Sequence, residues 1–343
     1  MQETQHRIYY LDCLRVFAFF LVVLTHSQMS NIASNGIWVS GISFLCSPSS
    51  ELFLALSGAI LLPVHTDFSS FYRRRFLKLL PPMVIWSVFG VALSLLQHKV
   101  TGSEAIEKLL LVPIKPVEGV YWFLYVMIGL YLFAPFISYW LREASKKQVE
   151  FFLLIWLINM CLPWFNLLKP GFYNEDGSYY WIFCYFGGFL GYWVLGYYLR
   201  KYPLRLFSKW GGGICILSIC YAISYILLAL SDKEKINGNL QIGSAVLVVL
   251  IFSIVKEISD SKIGEKFLNK WASSIAQYSF GIYLMHIYVI RDFVWRIFEN
   301  YRIYNHPVIE GLLISVVSIT ICILIIKLIS MIKPLGKWMF GLR

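Results

Sequence analysis

Arg15 and His26 lie in one apolar run, YLDCLRVFAFFLVVLTHS, and stand eleven residues apart. In an α-helix that separation is close to three turns, so the two side chains share a face about 16 Å apart. They line one groove without touching. Such spacing suits a long anionic ligand entering from the arginine end: a guanidinium holds a phosphate near the mouth, and an imidazole meets the reactive end deeper in. An acyl thioester on a pantetheine arm has about that reach. With an unperturbed pKa of about 6.5, histidine can take a proton from a sugar hydroxyl and pass it to a leaving thiolate. Glu51, about half-way along the next apolar run, is placed to orient that imidazole or to pair with an arginine. An ionised side chain in mid-membrane costs roughly 3 kcal/mol on insertion scales, so Asp12, His286, Arg291 and Asp292, also within apolar runs, are functional candidates. Lys327 lies near enough to the end of its run to snorkel.

Each of these residues also has a plainer reading. His26 alone fits an interface or satisfied core histidine, and Arg15 with Asp12 fits an ion pair at the inner interface. The basic run Arg73, Arg74, Arg75 and Lys78 fits a topology signal, and Tyr121 to Phe123 fits an aromatic belt at a span end. Arg291 and Asp292 either bind substrate or pair with each other. It is the order of these signals along the chain that carries weight.

The elements that position them are membrane helices. Of the 343 residues, 58% are hydrophobic and only 14% charged, a balance that excludes a water-soluble globule of this length. Apolar runs of about 20 residues recur throughout, the length a helix needs to cross a hydrocarbon core of roughly 30 Å. A transmembrane β-barrel would instead show short alternating segments. The sequence therefore predicts an all-α, polytopic integral membrane protein with one membrane domain over 1–343. Ten spans are expected: Tyr9 to Met29, Gly41 to Leu62, Leu80 to Gln97, Tyr121 to Tyr139, Val149 to Leu168, Tyr180 to Leu199, Gly211 to Ser231, Leu240 to Ile254, Ile275 to Trp295 and Ile309 to Ile332. The first carries Asp12 and Arg15 and lacks a small-residue cleavage site, which marks it as retained.

Lys and Arg collect in alternate connections, nineteen on the side of the termini against eight on the other, so both termini are expected in the cytoplasm. The net charge of +11 is then a topology signal with attraction to anionic lipid, and nucleic acid is not an expected partner. The cysteines sit singly, with no CxxC pair and no histidine cluster, so neither a disulfide framework nor a metal site is expected. The widest connection, Lys99 to Gly119, reads as a solvated loop with a short helix at Ser103 to Leu111.

Taken in order, these residues resemble the acyltransferase-3 family of membrane O-acyltransferases. YLDCLRVFAFFLVVLTHS is similar to the family's first helix, with its arginine and histidine at Arg15 and His26. ELFLALSGAIL resembles the second-helix element at Phe53, Ser57 and Gly58. RRRFLKLLPP resembles the basic start of the third helix, with Arg75, Lys78 and Pro81 in the places of Arg, Arg and Pro. YWFLYVMIGLYLFAP is similar to the fourth-helix segment, and YSFGIYLMH, Tyr278 to His286, to an element near the end. The resemblance covers nearly the whole chain and is to the short, stand-alone branch. It implies transfer of an acyl group, usually acetyl, from cytoplasmic acyl-CoA to a hydroxyl of a cell-surface glycan or lipid-linked sugar at the inner membrane. It implies His26 as catalytic base, Arg15 as its motif partner, and Arg75 and Lys78 as CoA-phosphate contacts, with Arg73 and Arg74 adding charge beside them. Lysine at 78 keeps the charge and loses bidentate phosphate geometry. Trp122, His286 and Arg291 complete the set as candidate substrate contacts.

The expected mechanism is direct or His-assisted transfer in a tunnel across the bilayer, without a metal. A transporter or flippase of polysaccharide is the alternative from another class, although no matching pair of Gly/Pro-broken helices marks inverted repeats. A non-catalytic membrane subunit of a glycan synthase is a third reading, in which His26 would be dispensable.

Overall fold

The computed structural model describes residues 8–27, 37–161, 188–205, 208–230, 242–262, 264, 268–300 and 307–342. Among them every regular element is helical. Six helical spans are long and apolar enough to cross a membrane: Tyr9–Ser27, Ser40–Leu61, Phe68–Leu96, Gly119–Glu143, Ile242–Ser259 and Val308–Ser330. Large apolar side chains stand exposed along these and neighbouring helices, among them Val84, Phe136, Phe151, Ile219, Val316 and Leu328. Water would not tolerate that many, whereas lipid requires them. The chain is a multi-pass membrane protein.

The described chain divides into two compact, interleaved units: one from Met1–Pro63 and Ser138–Ala276, the other from Val64–Ile137 and Gln277–Arg343. The first contains α1 (Tyr9–Ser27), α2 (Ile37–Cys46) and α3 (Ser49–Leu61). The expected second span is thus broken at Ser47 and Pro48, since proline cannot donate a helical hydrogen bond there. In the second unit α4 (Phe68–Leu96) and α5 (Gly102–Leu111) follow; the loop helix expected at Ser103 to Leu111 is α5, closed by a Thr101 and Glu104 capping box. The helix α6 (Trp122–Glu143) leads back to the first unit, which adds α7 (Lys146–Met160), α8 (Leu190–Lys201), α9 (Lys209–Leu230), α10 (Ile242–Ser259) and α11 (Asn269–Ala276). The second unit closes with α12 (Ser279–Tyr288), a π-helical segment Val289–Val294, α13 (Trp295–Asn300), α14 (Pro307–Ser330) and α15 (Lys333–Phe340). Residues 28–29, 162–168, 180–187, 231 and 240–241 of the expected spans lie outside the described residues.

Two expectations need correction. The helix that carries the third span starts at Phe68, well before Leu80, because Asp67 caps it by accepting from the Ser70 N–H at 2.9 Å. At 29 residues α4 is about 43 Å long, so its basic first turns project beyond a hydrocarbon core of roughly 30 Å. The ninth span, expected to be continuous from Ile275 to Trp295, is interrupted by a turn at Gln277 and Tyr278 and by the π-helical segment.

The core of the first unit is the pairing of α3 with α8, made by glycine. A Cβ at Gly58 would lie 1.9 Å from the Trp193 carbonyl oxygen, and one at Gly196 would lie 1.7 Å from that of Ala55. The backbones therefore touch, which is how membrane helices gain packing where no hydrophobic force joins them. Arg200, at the end of α8, donates to the Ala59 carbonyl near the end of α3, so the two helices run in the same direction. Around this seam Leu14, Leu21, Leu52, Tyr192, Trp193 and Phe252 are buried. The second unit is held by hydrogen bonds as well as by packing: Trp86 Nε1 donates to the Met339 carbonyl at 2.9 Å, and the Tyr121 hydroxyl to the Leu284 carbonyl at 2.9 Å.

Candidate active site

In the first unit α1 carries Arg15 one turn after Asp12. Arg15 Nη1 lies 3.3 Å from Asp12 Oδ1, and the Ser273 hydroxyl donates to Asp12 Oδ2 at 3.2 Å. The ion pair of the plainer reading therefore exists, and it holds the guanidinium against its own helix. Nearby, the Ser259 hydroxyl donates to Asn269 Oδ1 at 2.7 Å, and Cys13 Sγ lies 3.6 Å from the same oxygen, which ties α1 to α10 and α11. His26 sits in the last turn of α1, half-buried. Its neighbours Thr25 and Ser27 turn their hydroxyls back to the Leu21 and Leu24 carbonyls, at 2.9 and 2.8 Å.

Glu51 lies in the first turn of α3 and is wholly buried. The first helical hydrogen bond is from the Leu52 N–H to the Pro48 carbonyl, so the N–H groups of Ser49, Ser50 and Glu51 precede the ladder. The carboxylate lies close to those of Ser50 and Glu51, on the side where the helix dipole favours negative charge. Yet among the described residues neither carboxylate oxygen completes a hydrogen bond. Burying a carboxylate without full donors is expensive, and sites that do so hold a group ready for a proton or a ligand. Tyr192 on α8 and Tyr221 on α9 lie within reach of its charge, with the Ser244 hydroxyl beside Tyr192 and that of Ser47 beside Tyr221. Tyr221 is fixed between Phe44, 5.2 Å away between ring centroids, and Gly243, where a Cβ would meet the ring at 2.1 Å. The sequence reading missed Tyr192, Tyr221, Ser47 and Ser244. Nothing in their spacing singles them out from the 22 tyrosines and the many serines of the chain.

The other predicted residues are in the second unit. Arg73, Arg74 and Lys78 are exposed on the first turns of α4, while Arg75 is half-buried with its guanidinium 5.8 Å from the Phe71 ring centre. Lys78 is followed by Pro81 and Pro82, and Pro82 cannot donate to the Lys78 carbonyl. That carbonyl is packed by Gly341, which ends α15 at φ +60°; a Cβ there would be strained and would stand 2.9 Å from the Lys78 oxygen. Trp122 opens α6, edge-on to Phe123. His286 on α12 is wholly buried, with Nδ1 2.6 Å from the Tyr283 carbonyl; since a carbonyl only accepts, Nδ1 carries the proton. Arg291 is gripped on two sides. Glu118 accepts from Nη1 and Nη2 at 3.1 and 3.3 Å, and Asp292 Oδ2 from Nε and Nη2 at 3.2 and 3.1 Å. Asp292 Oδ1 in turn accepts from Gln97 Nε2 at 3.2 Å, with the Lys99 ammonium 3.8 Å away. The pairing of Arg291 with Asp292 is thus present, and Glu118 is a partner the sequence did not reveal.

A family model for the acyltransferase-3 acyltransferase domain matches residues 8–327. The chain belongs to the acyltransferase-3 family. No curated protein and no solved structure matches it. Every residue considered above as a site candidate falls within the matched region, so the buried carboxylate and the motif histidine belong to the acyltransferase-3 domain itself. As a member of that family the protein is a membrane acyltransferase.

Proposed function

We propose that this acyltransferase-3 protein moves an acyl group, acetyl in the first instance, from acyl-CoA to a hydroxyl of a cell-surface glycan or lipid-linked sugar at the inner membrane. The observation that carries the reading is the first unit's combination of His26 at the end of α1 with the buried carboxyl group of Glu51 on α3, which completes no hydrogen bond among the described residues. His26 accepts the acceptor hydroxyl proton as that oxygen attacks the thioester carbonyl carbon. The new C–O bond forms, the C–S bond breaks, and the proton passes from the imidazolium to the CoA thiolate, giving the ester and free CoA. Arg15, steered by Asp12, supplies positive charge along the same helix for the donor. Arg75 and Lys78, with Arg73 and Arg74, are the proposed CoA-phosphate contacts, and Trp122 and His286 remain proposed substrate contacts. For Arg291 the role is to shape its surroundings, because Glu118 and Asp292 already engage its guanidinium.

The test is purified protein in detergent, supplied with acetyl-CoA labelled on the acetyl group and a lipid-linked glycan extract. Label is expected on the glycan and is expected to vanish with His26→Ala while the protein remains folded in the membrane fraction. Full activity in His26→Ala removes the catalytic assignment. No transfer together with no acyl-CoA binding favours a transporter of lipid-linked sugar.

A further inference from the structure

Where α7 begins and α8 ends, two lysines from distant parts of the first unit converge on one ring. The Lys146 ammonium lies 5.2 Å from the centre of Tyr202, and the Lys201 ammonium lies 5.6 Å from it. Both lysines are exposed. Their placement is built: Lys201 Nζ donates to the Tyr197 hydroxyl at 2.8 Å, and that hydroxyl donates to the Leu141 carbonyl at 3.4 Å. The Tyr197 oxygen holds the Lys201 ammonium above its usual pKa range, so the charge is secure. Glu150 lies 3.6 Å from Lys146 and accepts from the Tyr198 hydroxyl at 2.6 Å. It is the only carboxylate in contact with this cluster among the described residues, and Lys147, Arg200 and Arg205 are basic neighbours of the two lysines in the sequence. Among the described residues Lys201 gives one N–H to Tyr197 and Lys146 has Glu150 at 3.6 Å, which leaves further N–H donors on each ammonium.

The apolar counterpart is on α7 itself. Lys147, Phe151, Leu154 and Ile158 follow one another at helical spacing along one stripe. The three apolar members are 63%, 54% and 40% exposed. A basic end with aromatic rings, continued by a bare apolar stripe, is the complement of a molecule with a phosphate head and acyl tails. In the sequence reading both connections belong to the cytoplasmic side, where anionic lipid concentrates.

We propose that Lys146, Lys201 and Tyr202 form a docking site for the phosphate headgroup of an anionic phospholipid, whose acyl chains lie along Phe151, Leu154 and Ile158. The ammonium groups bracket the phosphate, and the tyrosine ring keeps them apart and aimed at it.

The experiment uses the full chain in lipid nanodiscs and measures, by electron paramagnetic resonance, the motionally restricted fraction of spin-labelled phosphatidylglycerol against spin-labelled phosphatidylcholine. Wild-type protein is expected to retain phosphatidylglycerol preferentially. Lys146→Gln with Lys201→Gln is expected to lower that preference roughly 30-fold, two lysine contacts' worth, and Tyr202→Ala to weaken it. Lys146→Arg with Lys201→Arg, and Tyr202→Phe, should retain it, which separates charge from folding. A control pair elsewhere in the unit, Lys262→Gln with Lys270→Gln, should leave it unchanged. The proposal is overturned if the double glutamine variant keeps the wild-type preference or if the control pair loses as much. Displacement of the labelled lipid by free CoA would likewise overturn it, by making the site a donor contact.

Discussion

Glu51 in the first unit and Arg291 in the second are held by opposite means. In the first, Glu51 is fixed by shape: α3 is locked to α8 through the bare backbones at Gly58 and Gly196, and the carboxylate that this seam buries is left without a completed hydrogen bond. In the second, Arg291 is fixed by charge: Glu118 and Asp292 take up its donors, and Gln97 and Lys99 engage Asp292 in turn. A group held by packing keeps its polar atoms for something else, whereas a group held by its partners has already used them. The comparison favours the proposed chemical role for Glu51 and an architectural one for Arg291.

Adding one carbon to the packed seam should have the largest effect. In Gly58→Ala the new Cβ meets the Trp193 carbonyl, which belongs to a helix backbone and cannot swing aside. Most of the protein should be lost from the folded peak in size-exclusion chromatography; a normal yield would mean that the seam can open without harm. Next is Glu51→Gln, which keeps the shape and removes the ionisable carboxyl group. On the proposal that Glu51 orients the proton-transferring His26, turnover should fall about 100-fold, the lower range for loss of general acid–base catalysis, while thermal stability holds or rises because an amide is cheaper to bury. Unchanged turnover would erase the contrast drawn above. The smallest effect is expected from Arg291→Ala. It leaves two carboxylates facing each other, but the arginine side chain is 32% exposed, so the loss should be about 2 kcal/mol rather than that of a fully buried pair. Thermal shift assays should show a lower midpoint, partly regained when Glu118→Gln is added, and activity should follow stability. An activity loss with no change in midpoint would make Arg291 a substrate contact after all.

Much of the fold was legible because lipid permits so few solutions: a long apolar run must be helical, and the runs at Tyr9, Tyr121, Ile242 and Val308 are helical in the structure. Boundaries failed where local chemistry outweighed hydropathy. Asp67 starts α4 a full three turns before the apolar stretch, and Pro48 breaks the second span inside one. Of the candidate site, the Arg15 and His26 helix could be read because its spacing is a property of a single element. Glu118 could not, since its meaning depends on Arg291, 173 residues away, and a glutamate in a mixed-charge connection looks solvated. Tyr192 and Tyr221 come within reach of the Glu51 carboxyl only through the packing of α8 and α9, which has no local signature.

The interleaving of the units bears on how the protein is made. The ribosome begins the second unit at Val64, leaves it at Ile137 to finish the first, and returns only at Gln277. Between the emergence of Glu118 and that of Arg291 lie 173 residues, which at about 5–20 residues per second take roughly 10–35 s. For that interval the nascent chain carries an acidic residue whose partner does not yet exist. The segment from Val64 to Ile137 is thus made well before the residues of Gln277–Arg343 that complete its unit, and a chain truncated in between would hold Glu118 without Arg291.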